Sequence, residues 1–509
     1  MTLPPDGASP PRADDAKKPP DPAEAPAADR SEAPAVPSPR ESSFDVDARH
    51  RPDRPPTSRL GRLARLAALA PRSLPMAAEA LKRAAGLTRT DEEEAAARVK
   101  LVKNARSTAQ AMLKTLGEMK GLPLKLGQMA SYIDGLAPPG YEDKFKEVLK
   151  GLQAKAPPLS RDAAVKVIVA ELRQAPHDVF AEFEDDPFAA ASIGQVHRAT
   201  TQGGDRVAVK VQYPGIDKAI EADLSSLSMM ESMIAPVGRR YHTKEGLEEI
   251  KSVFRGELDY THEAETADAF RRIHQGDDEI VIPRVHHALT TRRVLTTELI
   301  AGVDYATFCK TATQIEKNAA GATIGRFMFR ALFKHGLLYA DPHPGNYRFL
   351  GGGTIAFLDF GCTKELPDTL LAGMKRYLNA LKDDDMEEFY RACAEVLGYD
   401  PDDKDGFQLY TEYTKMVTRP LTHDGLYRHT TEDARENVAF LVRNGRKIVF
   451  REGDSLPNLP KPIHMPHDFT FVNRLQWGLA SVLGGLEAEG NWRRMTDTWL
   501  RAPKEPVPA

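Results

Sequence analysis

Cysteine is scarce in this 509-residue chain: Cys309, Cys362 and Cys393 are the whole supply, far apart and without a CxxC pairing. Such spacing argues against structural zinc and against a disulfide framework, and it fits a reducing cytosol. Charge of one sign is also lacking, since 69 lysines and arginines face 73 aspartates and glutamates. A net charge of −4 over this length gives no reason to expect a nucleic-acid partner, and any basic surface has to be local. No apolar run approaches the ~18 residues of a membrane-spanning helix. The longest candidate, Leu475 to Leu486, is short and interrupted by Gln476 and Ser481. The opening MTLPPDGASPPRADD lacks a basic stretch followed by an apolar one, so no secretory signal is expected and the location is read as cytoplasmic. What is there, 41% hydrophobic and 28% charged residues, suffices for one large core and two lobes or a domain with extensions.

The first 58 residues hold 14 of the 38 prolines and few large apolar side chains, so they are expected to form a disordered tail. Beyond it, Leu60, Leu63, Leu66 and Leu69 form one stripe beside Arg59, Arg62 and Arg65. This basic amphipathic helix is read as packing onto the domain rather than as a membrane anchor, because Pro71 and Pro75 end it early and its stripe lacks Trp and Phe. Helical periodicity is expected from Thr90 to about Gln153. Strands are expected over Val179–Phe183, Ala191–Ala199 and Arg206–Gln212, the last two joined by a Gly203-Gly204-Asp205 turn. Helices follow over Ile216–Ile234 and Lys244–His274, then strands over Ile280–His286 and Arg293–Leu299. The rest reads as helical apart from a hairpin, Tyr347–Leu350 and Thr354–Leu358, around Gly351-Gly352-Gly353.

Chemistry concentrates in Asp341-Pro-His-Pro-Gly-Asn346, followed by that hairpin and then Asp359-Phe-Gly361. Alone, Asp-Phe-Gly would read as a turn at a strand end. Joined to an aspartate and an asparagine five apart, it reproduces the loop order of a kinase catalytic site. Nucleotide phosphates need Mg²⁺ held by hard oxygen ligands from two sides, which Asn346 and Asp359 can supply. Asp341 is then placed to accept the proton of an attacking hydroxyl or water. Val207-Ala-Val-Lys210 adds a strand whose alternation sends Lys210 to the same side as Ala208, toward a nucleotide. A lysine so placed needs a carboxylate partner. Glu257, Asp259 and Glu263 are expected on one helix, where Asp259 and Glu263 share a face, and Glu263 is the chosen partner. The histidines, His197 and His343 among them, show no metal-ligand spacing.

On these residues the chain resembles the UbiB/AarF family of atypical protein-kinase-like proteins. Lys125-Leu-Gly127-Gln128 resembles the family's KxGQ signature, and Ala189-Ala190-Ala191-Ser192 with Gly194 resembles its alanine-rich nucleotide loop. Glu257-Leu-Asp259 resembles its ExD motif, and ADPHPGN and LDFG its catalytic and metal loops. Together these cover roughly residues 100–365, and a compatible helical tail extends the resemblance to about four-fifths of the chain. The resemblance implies a bilobal, helix-rich α+β kinase-like fold, with KxGQ helices packed over the active site and held by the ExD helix. It implies binding of ATP or ADP with Mg²⁺, poor protein phosphorylation, and ATP hydrolysis or small-molecule phosphorylation supporting isoprenoid quinone or lipid metabolism. Alanine in place of glycine restricts the loop backbone, so phosphate binding is expected to differ from that of an ordinary kinase. Glu298 to Ile300 fall where a hinge would meet adenine. Two departures stand out: Tyr339 occupies a position where many members carry histidine, and the family's terminal membrane-spanning helices are absent. A membrane role would therefore be peripheral, at the inner face. The expected layout is a tail over 1–58, a helical extension over 59–160, an N-lobe over 161–300 and a C-lobe over 301–509. The functions to be separated are an ATP-using enzyme, a conventional protein or small-molecule kinase, and a nucleotide-binding scaffold.

Overall fold

The structure is a computed structural model that describes residues 58, 61, 62, 64, 160–226, 248, 251, 252, 254–449 and 468–508. These all belong to the unit Ser42–Ala509. The expected tail and the KxGQ segment, with Lys125, Gly127 and Gln128, lie outside the described residues. Of the basic helix only Gly61, Arg62 and Ala64 are described, and Arg62 is buried with its Nε 2.7 Å from Asp223 Oδ1. That contact accords with a helix packed on the domain.

Helix α1 (Arg161–Leu172) starts where Ser160 Oγ accepts the Ala163 amide, and it buries Ala163, Ala164, Val167 and Ile168. Its apolar side covers one face of an antiparallel sheet. Strands β1 (Phe180–Phe183), β2 (Ala189–Ala190), β3 (Gly194–Thr201), β4 (Arg206–Gln212) and, past the short β5 (Ile280–Val281), β6 (Val294–Glu298) build it in the order β1-β3-β4-β6, with β2 on β3. Along β4 the alternation holds from Arg206 to Val211: Val207, Val209 and Val211 are fully buried against α1, each contributing roughly 1.5–3 kcal/mol. Ala208 and Lys210 take the other face.

Several local departures from the sequence reading have identifiable causes. Pro176 opens a one-turn helix, Pro176–Val179, so β1 begins at Phe180 rather than Val179. The strand expected over Ala191–Ala199 starts only at Gly194, because the residues before it form a tight turn in which the Ala191 amide donates to Gly194 O at 2.8 Å. The helix expected through Glu257–Glu263 breaks before Tyr260. Asp259 is extended and caps helix α2 (Tyr260–Ile273) by accepting the Thr261 amide at 3.0 Å, so it does not share a helix face with Glu263. Pro283, with no amide to donate, follows β5 closely. That two-residue strand leaves the N-lobe sheet altogether and pairs in parallel with the C-lobe hairpin.

In the C-lobe, a capping box of Thr313 and Glu316 starts helix α3 (Gln314–Phe329), which runs into a π-helical turn over Arg330–Lys334. Strand β7 (Leu337–Tyr339) follows, then the hairpin of β8 (Tyr347–Gly351) and β9 (Thr354–Phe357), then β10 (Thr363–Glu365). Gly351, Gly352 and Gly353 all have positive φ, which is why this turn is built from glycine. Strand β10 returns antiparallel to β7, opposing Thr363 to Tyr339, so the loops after β7 and after β9 open at the same place. Helices α4 (Asp368–Lys382), α5 (Met386–Leu397) and, nearer the C-terminus, α6 (Phe469–Leu486) pack into one core with α2 and α3. No helix among the described residues is long and apolar enough to cross a membrane.

Candidate active site

Four elements converge on one cluster. Lys210 comes from β4, Glu263 from the first turn of α2, Asp341 and Asn346 from the loop between β7 and β8, and Asp359 from the loop between β9 and β10. Lys210 Nζ donates to Glu263 Oε1 at 2.8 Å and Oε2 at 3.0 Å, and to Asp359 Oδ2 at 3.3 Å. It also lies 5.0 Å from the centre of the Tyr260 ring. Burial alone would drive the ammonium toward neutrality, but Asp359 and Glu263 outweigh it and hold Lys210 firmly protonated. Burial pushes the Glu263 carboxyl up, and Lys210 opposes that push. The start of α2 is held by Gln212, whose Nε2 donates to Leu258 O at 2.9 Å, and by the Tyr260 amide donating to Arg292 O at 3.0 Å. Glu257, in the turn before it, is buried.

The loop from Asp341 to Asn346 is folded on itself by its own residues. His343 N donates to Asp341 O at 2.7 Å, Asn346 N to His343 O at 2.9 Å, and Gly345 N to His343 Nδ1 at 2.9 Å. Asn346 Nδ2 donates to Asp341 O at 3.0 Å and lies 3.4 Å from Asp341 Oδ2, which makes the amide oxygen the group a cation would take. The Leu358 amide, next to Asp359, donates to Asn346 O at 2.9 Å and fixes the two loops together. Tyr339, the departure from histidine, sends its hydroxyl to Asp359 O at 2.7 Å, so it supports the Asp359 loop directly. Phe360 is buried among Phe270 at 5.3 Å, Tyr339 at 5.9 Å and Phe327 at 6.4 Å.

The alanine loop closes differently from an open cradle of amides. Ala189 and Ala190 pair with Val196 and Gln195, the Ala191 amide is engaged by Gly194, and Ser192 is buried. Gly194 is required there, since a Cβ would come 2.5 Å from Val211 O and 2.8 Å from Tyr260 Oη. At the hinge, the Glu298 amide donates to Arg284 O and the Leu299 amide to Arg206 O, while Ile300 is half-buried. One residue of this site escaped the sequence reading. Arg474, on α6, donates from Nη2 to Asp341 Oδ1 at 2.9 Å and from Nη1 to Cys362 Sγ at 3.2 Å. Its only signal in the sequence is an arginine set in an apolar helix.

Fold and site together define a protein-kinase-like molecule. The description "ABC1 atypical kinase-like domain" matches residues 151–393. The uncharacterized Synechocystis protein slr0889 is 32% identical over 302 residues, 57% of this chain and 72% of that one. The zebrafish (Danio rerio) mitochondrial atypical kinase COQ8B is 30% identical over 263 residues, 52% of this chain and 42% of that protein, so the chain spans less than half of that relative. Among solved structures, Rv3197 of Mycobacterium tuberculosis, determined with erythromycin, matches at a TM-score of 0.54 and 24% identity, over 82% of this chain and 100% of that one, which is a likeness of fold. The chain belongs to the ABC1 atypical kinase-like, or UbiB, family.

Proposed function

We propose that this chain is a Mg²⁺-dependent ATP-using enzyme that hydrolyses ATP or phosphorylates a small molecule. The observation that carries this reading is the meeting of Lys210 with Glu263 and Asp359 within 3.3 Å, beside Asp341 and Asn346. The donor chemistry fits the cofactor, since the Asp359 carboxylate and the Asn346 amide oxygen are hard ligands of the kind Mg²⁺ takes. A Cβ on Gly361 would come 3.3 Å from Glu263 Oε2 and 3.4 Å from Asp359 Oδ1, so glycine keeps this space open. When bound, Mg²⁺ and ATP supply the phosphoryl group and the charge that neutralises its oxygens. Lys210 holds a phosphate, Glu263 keeps Lys210 aimed, and Asp341 accepts the proton of the attacking hydroxyl or water. A role in isoprenoid quinone or lipid metabolism rests on family membership, with COQ8B among the relatives.

A second reading, a nucleotide-switched scaffold, is favoured by one observation: both oxygens of Asp341 have donors, Arg474 and Asn346. Turnover sharply lowered but still measurable in Asp341→Asn favours the enzyme, whereas tight binding without turnover in wild type favours the scaffold. The primary test is thermal unfolding of wild type and Asp359→Ala with ATP or ADP, with and without Mg²⁺. At a nucleotide concentration 100-fold above Kd the expected stabilisation is about 2.7 kcal/mol, present only with Mg²⁺ and lost in the variant. An unchanged melting curve for wild type rejects the nucleotide site.

A further inference from the structure

The loop from Asp341 to Asn346 contains no lysine or arginine, so it brings no cation of its own to offset Asp341. The cation comes from 133 positions further on, at Arg474. Helix α6 buries Phe469, Phe471, Val472, Leu475 and Leu479, and an arginine among them is costly to bury unless its donors are matched. Arg474 is itself buried, and its two terminal nitrogens reach different loops: Asp341 Oδ1 at 2.9 Å and Cys362 Sγ at 3.2 Å. Cys362 directly follows Gly361, and its carbonyl accepts the Ala340 amide at 2.9 Å. One planar guanidinium therefore spans both loops at the point where β7 and β10 bring them together. A lysine, as a single point of charge, could not hold both. With Oδ1 on Arg474 and Oδ2 near Asn346, the Asp341 carboxylate is fixed in one orientation.

We propose that Arg474 is a positioning residue for Asp341: it sets the orientation of that carboxylate and its separation from the Asp359 loop. Part of the phosphate-transfer machinery thus lies on α6, beyond the family-matched span that ends at residue 393. This rests on Asp341 being the proton acceptor of an ATP-using site. The test compares ATP turnover and Mg²⁺–ADP affinity in wild type, Arg474→Met, Arg474→Lys, Asp341→Asn and the Arg474→Met/Asp341→Asn double variant. Arg474→Met is expected to lower kcat at least about tenfold while Mg²⁺–ADP affinity stays within about threefold, because Lys210, Glu263 and Asp359 are untouched. Arg474→Lys is expected to recover part of the loss. In the Asp341→Asn background, Arg474→Met is expected to change kcat less than about twofold, since the two act through one carboxylate. Undiminished kcat in Arg474→Met, multiplicative losses in the double variant, or loss of nucleotide binding together with turnover would each overturn the proposal. Wild type that binds Mg²⁺–ADP without turnover also overturns it and leaves the nucleotide site standing, whereas wild type that binds no nucleotide defeats the underlying reading instead. If Arg474→Met does not fold, Arg474→Lys alone and with Asp341→Asn completes the same cycle.

Discussion

Replacing Lys210 with methionine keeps the length of the side-chain stem and removes the ammonium with its hydrogen bonds, so the variant isolates the contribution of that group at the centre of the site. Its ammonium lies 2.8 Å from a Glu263 carboxylate whose side chain is 5% exposed, and 3.3 Å from Asp359, 29% exposed. Gross attractions of about 5 kcal/mol per contact at an effective dielectric of 20 are mostly cancelled by desolvation. What remains visible is the cost of leaving the buried Glu263 carboxylate, with the half-buried Asp359 beside it, without a cation, about 3–5 kcal/mol. Glu263→Gln is expected to cost less, about 1–2 kcal/mol, because Lys210 keeps Asp359 as its counter-charge and the amide can still accept its hydrogen bond. The double variant is expected to be less destabilised than Lys210→Met alone, giving a coupling energy of about 2 kcal/mol. Urea unfolding followed by far-UV circular dichroism measures all four proteins. The reasoning is refuted if Glu263→Gln proves as damaging as Lys210→Met, or if the two losses simply add.

Gly361→Ala places a methyl group against both Glu263 and Asp359, so it is expected to weaken Mg²⁺–ADP binding about tenfold with a melting temperature near that of wild type; calorimetric titration reads this. Burial holds His274 down at about 3 and His429 at about 4, both neutral in the fold. Because these folded values lie below the ordinary 6.5, the stabilisation is complete above pH 6.5 and is lost as pH falls toward 4. Each contributes up to about 1.4 kcal/mol per pH unit. These two histidines are therefore expected to lower the unfolding free energy by about 4 kcal/mol between pH 6.5 and 4.5, and a His429→Gln variant with an undiminished slope would contradict the assignment. A Cβ on Gly373 of α4 would overlap Val396 of α5, so Gly373→Ala is expected to cost about 1–3 kcal/mol in the same urea assay, with nucleotide affinity unchanged.

The kinase-like architecture was legible because its signals are local. Alternation along Arg206–Gln212 places Lys210 on the cleft face without any knowledge of the partner strands, and the spacing from Asp341 to Asn346 to Asp359 is a property of one hairpin. What could not be read depends on contacts distant in sequence or on a single cap. Asp259 looks helical by position, yet its carboxylate satisfies the Thr261 amide better from an extended backbone, and the helix starts one residue later. Ile280 and Val281 have the composition of either lobe's strands. Only tertiary pairing with Ile355 and Ala356 decides which sheet they join. Arg474 lies in a segment chosen by its apolar neighbours, and nothing within a helical turn of it indicates Asp341 or Cys362.

The packing of Phe360 restricts how this site could be switched off or blocked. Phe270, which contacts that ring, is on the same helix as Glu263, and Tyr339 both touches the ring and bonds the Asp359 carbonyl. Rotating Phe360 outward would break its contacts with three buried rings and loosen the helix that carries the lysine's partner. An inhibitor whose scaffold must occupy the space vacated by that phenylalanine would have to disrupt this cluster first, so selective compounds should be sought among those that fill the cleft beside Lys210 with the aromatic ring left in place.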